Sequence, residues 1–247
     1  MQPNKRPMIK FFRKIRQNLL MENKMGKYFK YAIGEILLVV IGILIALQVS
    51  NFNEQRKQQE QAIQLKKALQ SELKADIELM NLDLEYIEKE LDLSNSLAKR
   101  LSSATATSDT LIQIVRHEYR TGFNGSRTLD KTTFNSLEST GKINLLKNEI
   151  ANEIQKYYRD RDLFIGVNNT NVDIYYNLLE SFMLKFPDDS SAITGPLQDV
   201  YWQSVDKKAL NSMFNGLLTC RLFNLNVRKQ ILNKSLEKTQ KLINQLD

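Results

Sequence analysis

The side chains suited to chemistry are few in this 247-residue sequence. His117 is the only histidine and Cys220 the only cysteine, which excludes an internal disulfide framework and any metal cluster built from several of either residue. His117 stands in VRHEYR beside Glu118 and Tyr119, and a histidine base oriented by a carboxylate is a working catalytic element. Neighbours in sequence do not face each other on a helix, so Glu118 is badly placed to orient it. The histidine therefore reads as an exposed or interface residue. A carboxylate-bridged di-metal bundle needs two E-x-x-H elements, which one histidine cannot supply. Glu78, Glu85, Glu88 and Asp92 form an acidic run that reads as the solvated face of a helix. Tyr157, Tyr158, Tyr175 and Tyr176, with Arg159 and Arg161, could line a ligand groove between helices, although tyrosines at helical spacing belong more often to the packing. The P-loop, dinucleotide-binding, H-E-x-x-H and G-x-S-x-G motifs are all missing. No catalytic residue, metal or cofactor is expected, and an enzyme is the least favoured of three classes.

The elements that would carry these residues begin with an uneven charge. The whole chain has 35 Lys+Arg, 28 Asp+Glu and a net charge of +7. Residues 1–30 hold nine basic side chains and the single acid Glu22, so that segment carries +8 and the remainder −1. A basic excess confined to one segment, with no nucleic-acid motif beside it, argues against a nucleic-acid partner. Within that segment MIKFFRKIRQNLLM, residues 8–21, has Phe11, Phe12 and neighbouring apolar residues on one face. Lys10, Arg13, Lys14 and Arg16 occupy the other angles. Such a helix can lie on a membrane surface with its cations near anionic lipid, or serve only as an orientation signal.

Directly after it, ILLVVIGILIAL at residues 36–47 is the most apolar stretch of the chain. Its ten aliphatic side chains favour insertion by roughly 3 to 6 kcal/mol. Widened to residues 31–52, the segment reaches the roughly 20 residues a bilayer requires. Positive charge on its N-terminal side places the N-terminus in the cytoplasm. The long basic region and the missing A-x-A site favour an uncleaved signal anchor over a cleaved signal peptide. Gly34, Gly42 and Ala46 fall near one face of this helix, where small residues let another helix approach. Glu35 beside them sits at the interface or pairs with a basic group of a partner helix.

The quoted run continues as ENKMGKYFKYAIGEILLVVIGILIALQVSNFNE. With KFFRKIRQ, GKYFKYAIGE and ILIALQV, it resembles the opening of a family of uncharacterised bacterial single-pass membrane proteins, known only as a domain of unknown function. The resemblance is specific over residues 8–54 and loosens to the FNSLESTGKINLL and IQKYY stretches of residues 134–158. It implies a cell-envelope protein and carries over no catalytic residue.

Beyond residue 52 the pattern predicts an all-α body. Ala62, Leu65, Leu69, Leu73, Ile77, Met80, Leu84, Ile87, Leu91 and Leu97 recur at steps of three or four until the last. This predicts a helix from about 53 to 101 running on from the membrane span, with a break somewhere along so great a length. SSATATSD at 102–109 predicts a linker. A short helix at about 109–120, a second ending near Thr140 and capped by Asp130, and Gly141 as its C′ residue follow. Asn144 is expected to cap a long helix kinked near Gly166, Asn168 and Asn169, ended by Pro187. A loop over 187–206 and a final helix from about 207 to 246 complete an elongated antiparallel bundle. The expected organisation is therefore a basic cytoplasmic segment (1–30), a transmembrane helix (31–52) and an extracytoplasmic bundle (53–247). The reading places the chain in a bacterial inner membrane with a periplasmic C-terminal domain, as a module contacting the bilayer and another membrane protein or itself. A homo-oligomeric scaffold is the alternative.

Overall fold

The computed structural model describes residues 25–122, 127–187 and 195–246. Two compact units divide the chain, residues 1–61 and residues 62–247. Among the described residues all regular structure is helical. The basic stretch 8–21 lies outside them.

Helix α1 (Met25–Leu101) runs unbroken for 77 residues, so the break expected within it is absent. No glycine or proline occurs between residues 43 and 121. The pairs Arg56–Glu60 at 3.0 Å and Glu85–Lys89 at 2.7 Å support its exposed turns. In the first unit residues 36–61 are exposed throughout. Among the described residues this is the one helix long and apolar enough to cross a membrane.

In the second unit a polar turn ends α1, and Thr107 and Thr110 form a reciprocal capping box at the start of α2 (Ser108–Gln113). One π-helical turn, Ile114–Glu118, follows. Residues 119–122 and 127–131 have no regular structure, and α3 spans Thr132–Ser139. The N-cap position of α3 is Lys131 and has no side-chain cap. Asp130, expected there, stands one residue earlier, its carboxylate accepting from Thr132 N at 2.9 Å and Thr132 Oγ1 at 2.6 Å in an Asx turn. Gly141 takes φ +67°, the left-handed turn anticipated for it. That turn feeds a 3₁₀ segment, Lys142–Leu145. Asn144 is absorbed into the segment and does not cap α4 (Asn148–Met183), whose N-cap position is Lys147.

Helix α4 passes through Gly166, Asn168 and Asn169 without a break. Thr170 Oγ1 donates to Gly166 O at 3.1 Å, and Asn224 Nδ2 donates to Asn171 O at 3.0 Å. The bond from Asn224 and the burial of Asn168 hold this stretch against α6 despite the weak helix propensity of its residues. The expected loop over 187–206 contains α5 (Pro196–Gln203), with Pro196 in its first turn and Trp202 buried. Asp206 accepts from Lys208 N and Ala209 N at 3.1 and 3.0 Å. It thereby opens α6 (Lys207–Leu246), within a residue of its expected bounds.

Contacts between helices set the directions. Lys66 and Gln70 of α1 donate to Leu246 O and Ile243 O at the far end of α6. Arg228 and Arg221, earlier in α6, pair with Asp83 and Glu90, later in α1, so α1 and α6 are antiparallel. Tyr158 and Arg161 of α4 meet Glu72 and Asp76 of α1 in ascending order, so α1 and α4 run parallel. Antiparallel packing therefore holds for α6 against both, while between α1 and α4 the chain returns with Arg120 beside Arg221, and Arg127 and Asp130 beside Asp83 and Asp76. One apolar cluster gathers Leu69, Leu73, Phe134, Ile154 and Ile243, and a second Met80, Ile87, Ile114, Phe182 and Phe214.

Leu73 is fully buried and Leu82 is 47% exposed. Denaturant unfolding of Leu73→Ala is expected to show a loss of about 3 kcal/mol, and Leu82→Ala a change within about 0.5 kcal/mol.

Candidate functional site

Four carboxylates of α1 sit along the flank of its apolar stripe. Glu72, Asp76, Asp83 and Glu90 are separated by four, seven and seven residues. At about 100° per residue they fall within roughly 40° of one another. Glu72, Asp76 and Asp83 are buried. A buried charge requires a partner, and each of the four has one from another part of the bundle.

Glu72 accepts from Tyr158 Oη at 2.6 Å and from Thr133 N at 2.7 Å. Asp76 accepts from Arg161 Nη1 at 2.7 Å and Asp130 N at 3.1 Å. Asp83 accepts from Arg228 Nη2 and from Arg127 N, both at 3.1 Å, and lies 3.3 Å from Arg127 Nε. Glu90 pairs with Arg221 Nη2. The arginines hold the irregular segment from its other side. Arg161 Nη2 donates to Asp130 O at 2.9 Å. Arg221 donates to Arg120 O at 2.9 Å and Gly122 O at 3.2 Å, and Tyr175 Oη to Thr121 O at 3.2 Å. Residues 119–122 and 127–131 thus belong to a strap in which several backbone polar groups are satisfied by side chains of α1, α4 and α6, where a strand or helix would satisfy its own.

Burial pushes the Asp76 carboxyl up to about 6, against the opposing pull of the Arg161 guanidinium and the Asp130 amide. One guanidinium does not offset loss of water in a pocket that also holds Glu72. Burial also raises the Tyr158 hydroxyl, with Glu72 adding to the effect, so it remains the donor in that pair. Tyr158 is further fixed by Phe134, stacked at 4.1 Å, and by Arg161 4.5 Å above its ring.

The residues singled out from sequence are distributed as follows. Tyr157, Tyr158 and Arg161 come together and are buried, with Tyr157 Oη 2.7 Å from Thr239 Oγ1. Tyr175 is buried in the second cluster, its hydroxyl 2.8 Å from that of Tyr119 and 2.9 Å from Arg221 Nη1. It lies about 20 Å farther along α4. Tyr176 is 42% exposed. These five therefore form no single groove. A cavity of about 40 Å³ beside Arg161, Arg228, Asp83 and Met80 has room for water-sized occupants. His117 is exposed, and its neighbour Glu118 is turned to Arg100, whose hydrogen bond holds the carboxyl below its ordinary range. Gly34, Gly42 and Ala46 are exposed and Glu35 is partly so. Lys10, Phe11, Phe12, Arg13, Lys14 and Arg16 lie outside the described residues. Among the described residues no group of His, Cys, Asp and Glu is arranged to hold a metal ion.

Fold and site define an all-helical protein with one apolar N-terminal helical stretch and a bundle cross-linked by buried ion pairs. The chain belongs to a family of unknown function, DUF6090, which it matches over residues 35–166. That span takes in the apolar helix, all four carboxylates, the strap and Arg161, and stops short of Arg221 and Arg228. Neither the curated proteins nor the solved structures yield a significant match.

Two outcomes are expected. Arg161→Ala strands the buried Asp76 and should cost about 3 to 5 kcal/mol, whereas Asp76→Asn with Arg161→Met should recover most of that loss; urea unfolding reads both. Because the folded Asp76 binds its proton more tightly than the unfolded chain does, its contribution to stability falls as pH rises from about 4 to about 6. The stability of the natural chain relative to Asp76→Asn should therefore decline over that window and level off above it. A difference that grows with pH would contradict the assignment.

Proposed function

We propose that this chain is a single-pass protein of the bacterial inner membrane whose region 53–247 is an extracytoplasmic helical module that holds a partner in the cell envelope. The observation that carries the reading is the apolar stretch of α1: from Ile36 to Val49 the large aliphatic side chains are 43–65% exposed. An exposed surface of that composition needs a bilayer or another protein around it. The +8 of residues 1–30 supplies the matching orientation signal, with the N-terminus in the cytoplasm.

A binding role is favoured over an enzymatic one by what the buried polar groups do. Glu72, Asp76, Asp83, Arg161, Arg221 and Arg228 each bond to a neighbouring element of the bundle. They serve as cross-links that hold one shape, and a fixed helical surface suits recognition of another protein.

The chain should stay with the membrane through alkaline carbonate washing, and a phosphatase fused after Asp247 should be active on the outer side. Release into the wash would overturn the anchor, and activity of a cytoplasm-only reporter at that position would overturn the orientation.

A further inference from the structure

The cavity of about 40 Å³ beside the carboxylate series draws its wall from α1, α4, α6 and the strap. Three arginines line it: Arg161 of α4, Arg228 of α6 and Arg127 of the strap. Among the described residues Asp83 is the one carboxylate in that wall. Asn168 and Ser235 add an amide and a hydroxyl, and Met80, Phe164 and Leu232 belong to its apolar sides.

Charge around the cavity is unbalanced. Asp83 serves two cations, lying 3.1 Å from Arg228 Nη2 and 3.3 Å from Arg127 Nε. Arg161 is bonded to Asp76 through Nη1 and to Asp130 O through Nη2. Its side chain is 4% exposed, and its Nε is buried with no hydrogen-bond partner among the described residues. The three guanidinium groups thus face two carboxylates, Asp76 and Asp83, an excess of one positive charge. Glu72, one turn earlier on α1, is bonded to Tyr158 and Thr133 and takes no part in the wall. A guanidinium donates hydrogen bonds and accepts none, so the group that completes this site is an acceptor. A negative one also restores the balance of buried charge.

We propose that the cavity binds one small monovalent anion of about chloride size, with Arg161 Nε among its donors and Arg127 and Arg228 as flanking cations. The volume corresponds to about three waters, which admits a halide and leaves no room for a larger organic ligand. Apolar walls keep the local dielectric low and strengthen the attraction. Arg127 is the exposed member of the wall, so the ion enters from its side. Once bound, the ion ties the strap, α4 and α6 together at one point. The site lies wholly within the second unit and does not depend on the membrane reading.

The test is urea unfolding of the full chain in nonionic detergent, with potassium chloride exchanged for potassium gluconate at constant ionic strength. Chloride should lower the unfolding constant saturably, by about tenfold at ten times its dissociation constant. Arg127→Met, at an exposed position, should leave the fold intact and weaken the chloride effect severalfold. Ser235→Val, which fills part of the cavity, should weaken it without removing a charge. Crystals grown in bromide should show an anomalous peak within contact distance of Arg161 Nε. Equal responses to gluconate and chloride, or a response unchanged in both variants, would reduce the effect to ionic screening and overturn the site. Absence of a bromide peak from the cavity would assign it to water alone and overturn the proposal as well.

Discussion

Three carboxylates of α1 and two arginines, one from α4 and one from α6, hold the backbone of a stretch whose described residues, 119–122 and 127–131, make no regular structure of their own. This constraint fixes the topology of the bundle. Helices α1 and α4 run parallel, so the chain must travel back along the bundle between them, with Arg120 near Arg221 and Arg127 and Asp130 near Asp83 and Asp76 on that way. A return path inside a helical bundle would leave amide and carbonyl groups without partners. Glu72, Asp76 and Asp83 take the amides of Thr133, Asp130 and Arg127, and Arg161 and Arg221 take carbonyls. Replacing such pairs by apolar residues of similar volume is often neutral or stabilising. Their contribution here is to set which parts of the chain meet, more than to add net stability.

The first unit carries its apolar side chains on the outside. Residues 36–61 expose every side chain they carry, and the apolar portion of that stretch follows a region of concentrated positive charge. The net charge of +7 is accordingly an N-terminal property, and the body of the chain is close to neutral.

Much of the fold was legible because periodicity survives in a single sequence. The stripe from Leu69 to Leu97 and the span of α6 follow from spacing and capping alone. Errors arose where packing overruled local preference. Asn168 and Asn169 are poor helix formers, yet α4 is continuous through them, with Asn168 buried and Asn224 of α6 bonded to Asn171 O. Asn144 is a good cap, yet the left-handed Gly141 directs it into a 3₁₀ turn. The carboxylate series stands in the sequence as acids four and seven residues apart beside Leu73, Met80 and Ile87, but the solvated Glu78, Glu85 and Glu88 interleave with it, and composition alone does not separate the two. Its partners could not be read from sequence, because Arg161 and Arg228 lie 85 and 145 residues away along the chain. Tyr157, Tyr158 and Arg161 do meet, whereas Tyr175 belongs to a separate cluster that spacing on one helix could not distinguish.

The central claim is that the strap is an internally bonded part of the bundle, as firmly held as the helices around it. Amide hydrogen exchange measures this directly. The amides of Arg127, Asp130 and Thr133 should exchange as slowly as those of neighbouring α1, within about tenfold, because opening them requires breaking the carboxylate contacts. Exchange at the rate of an exposed loop would contradict the account.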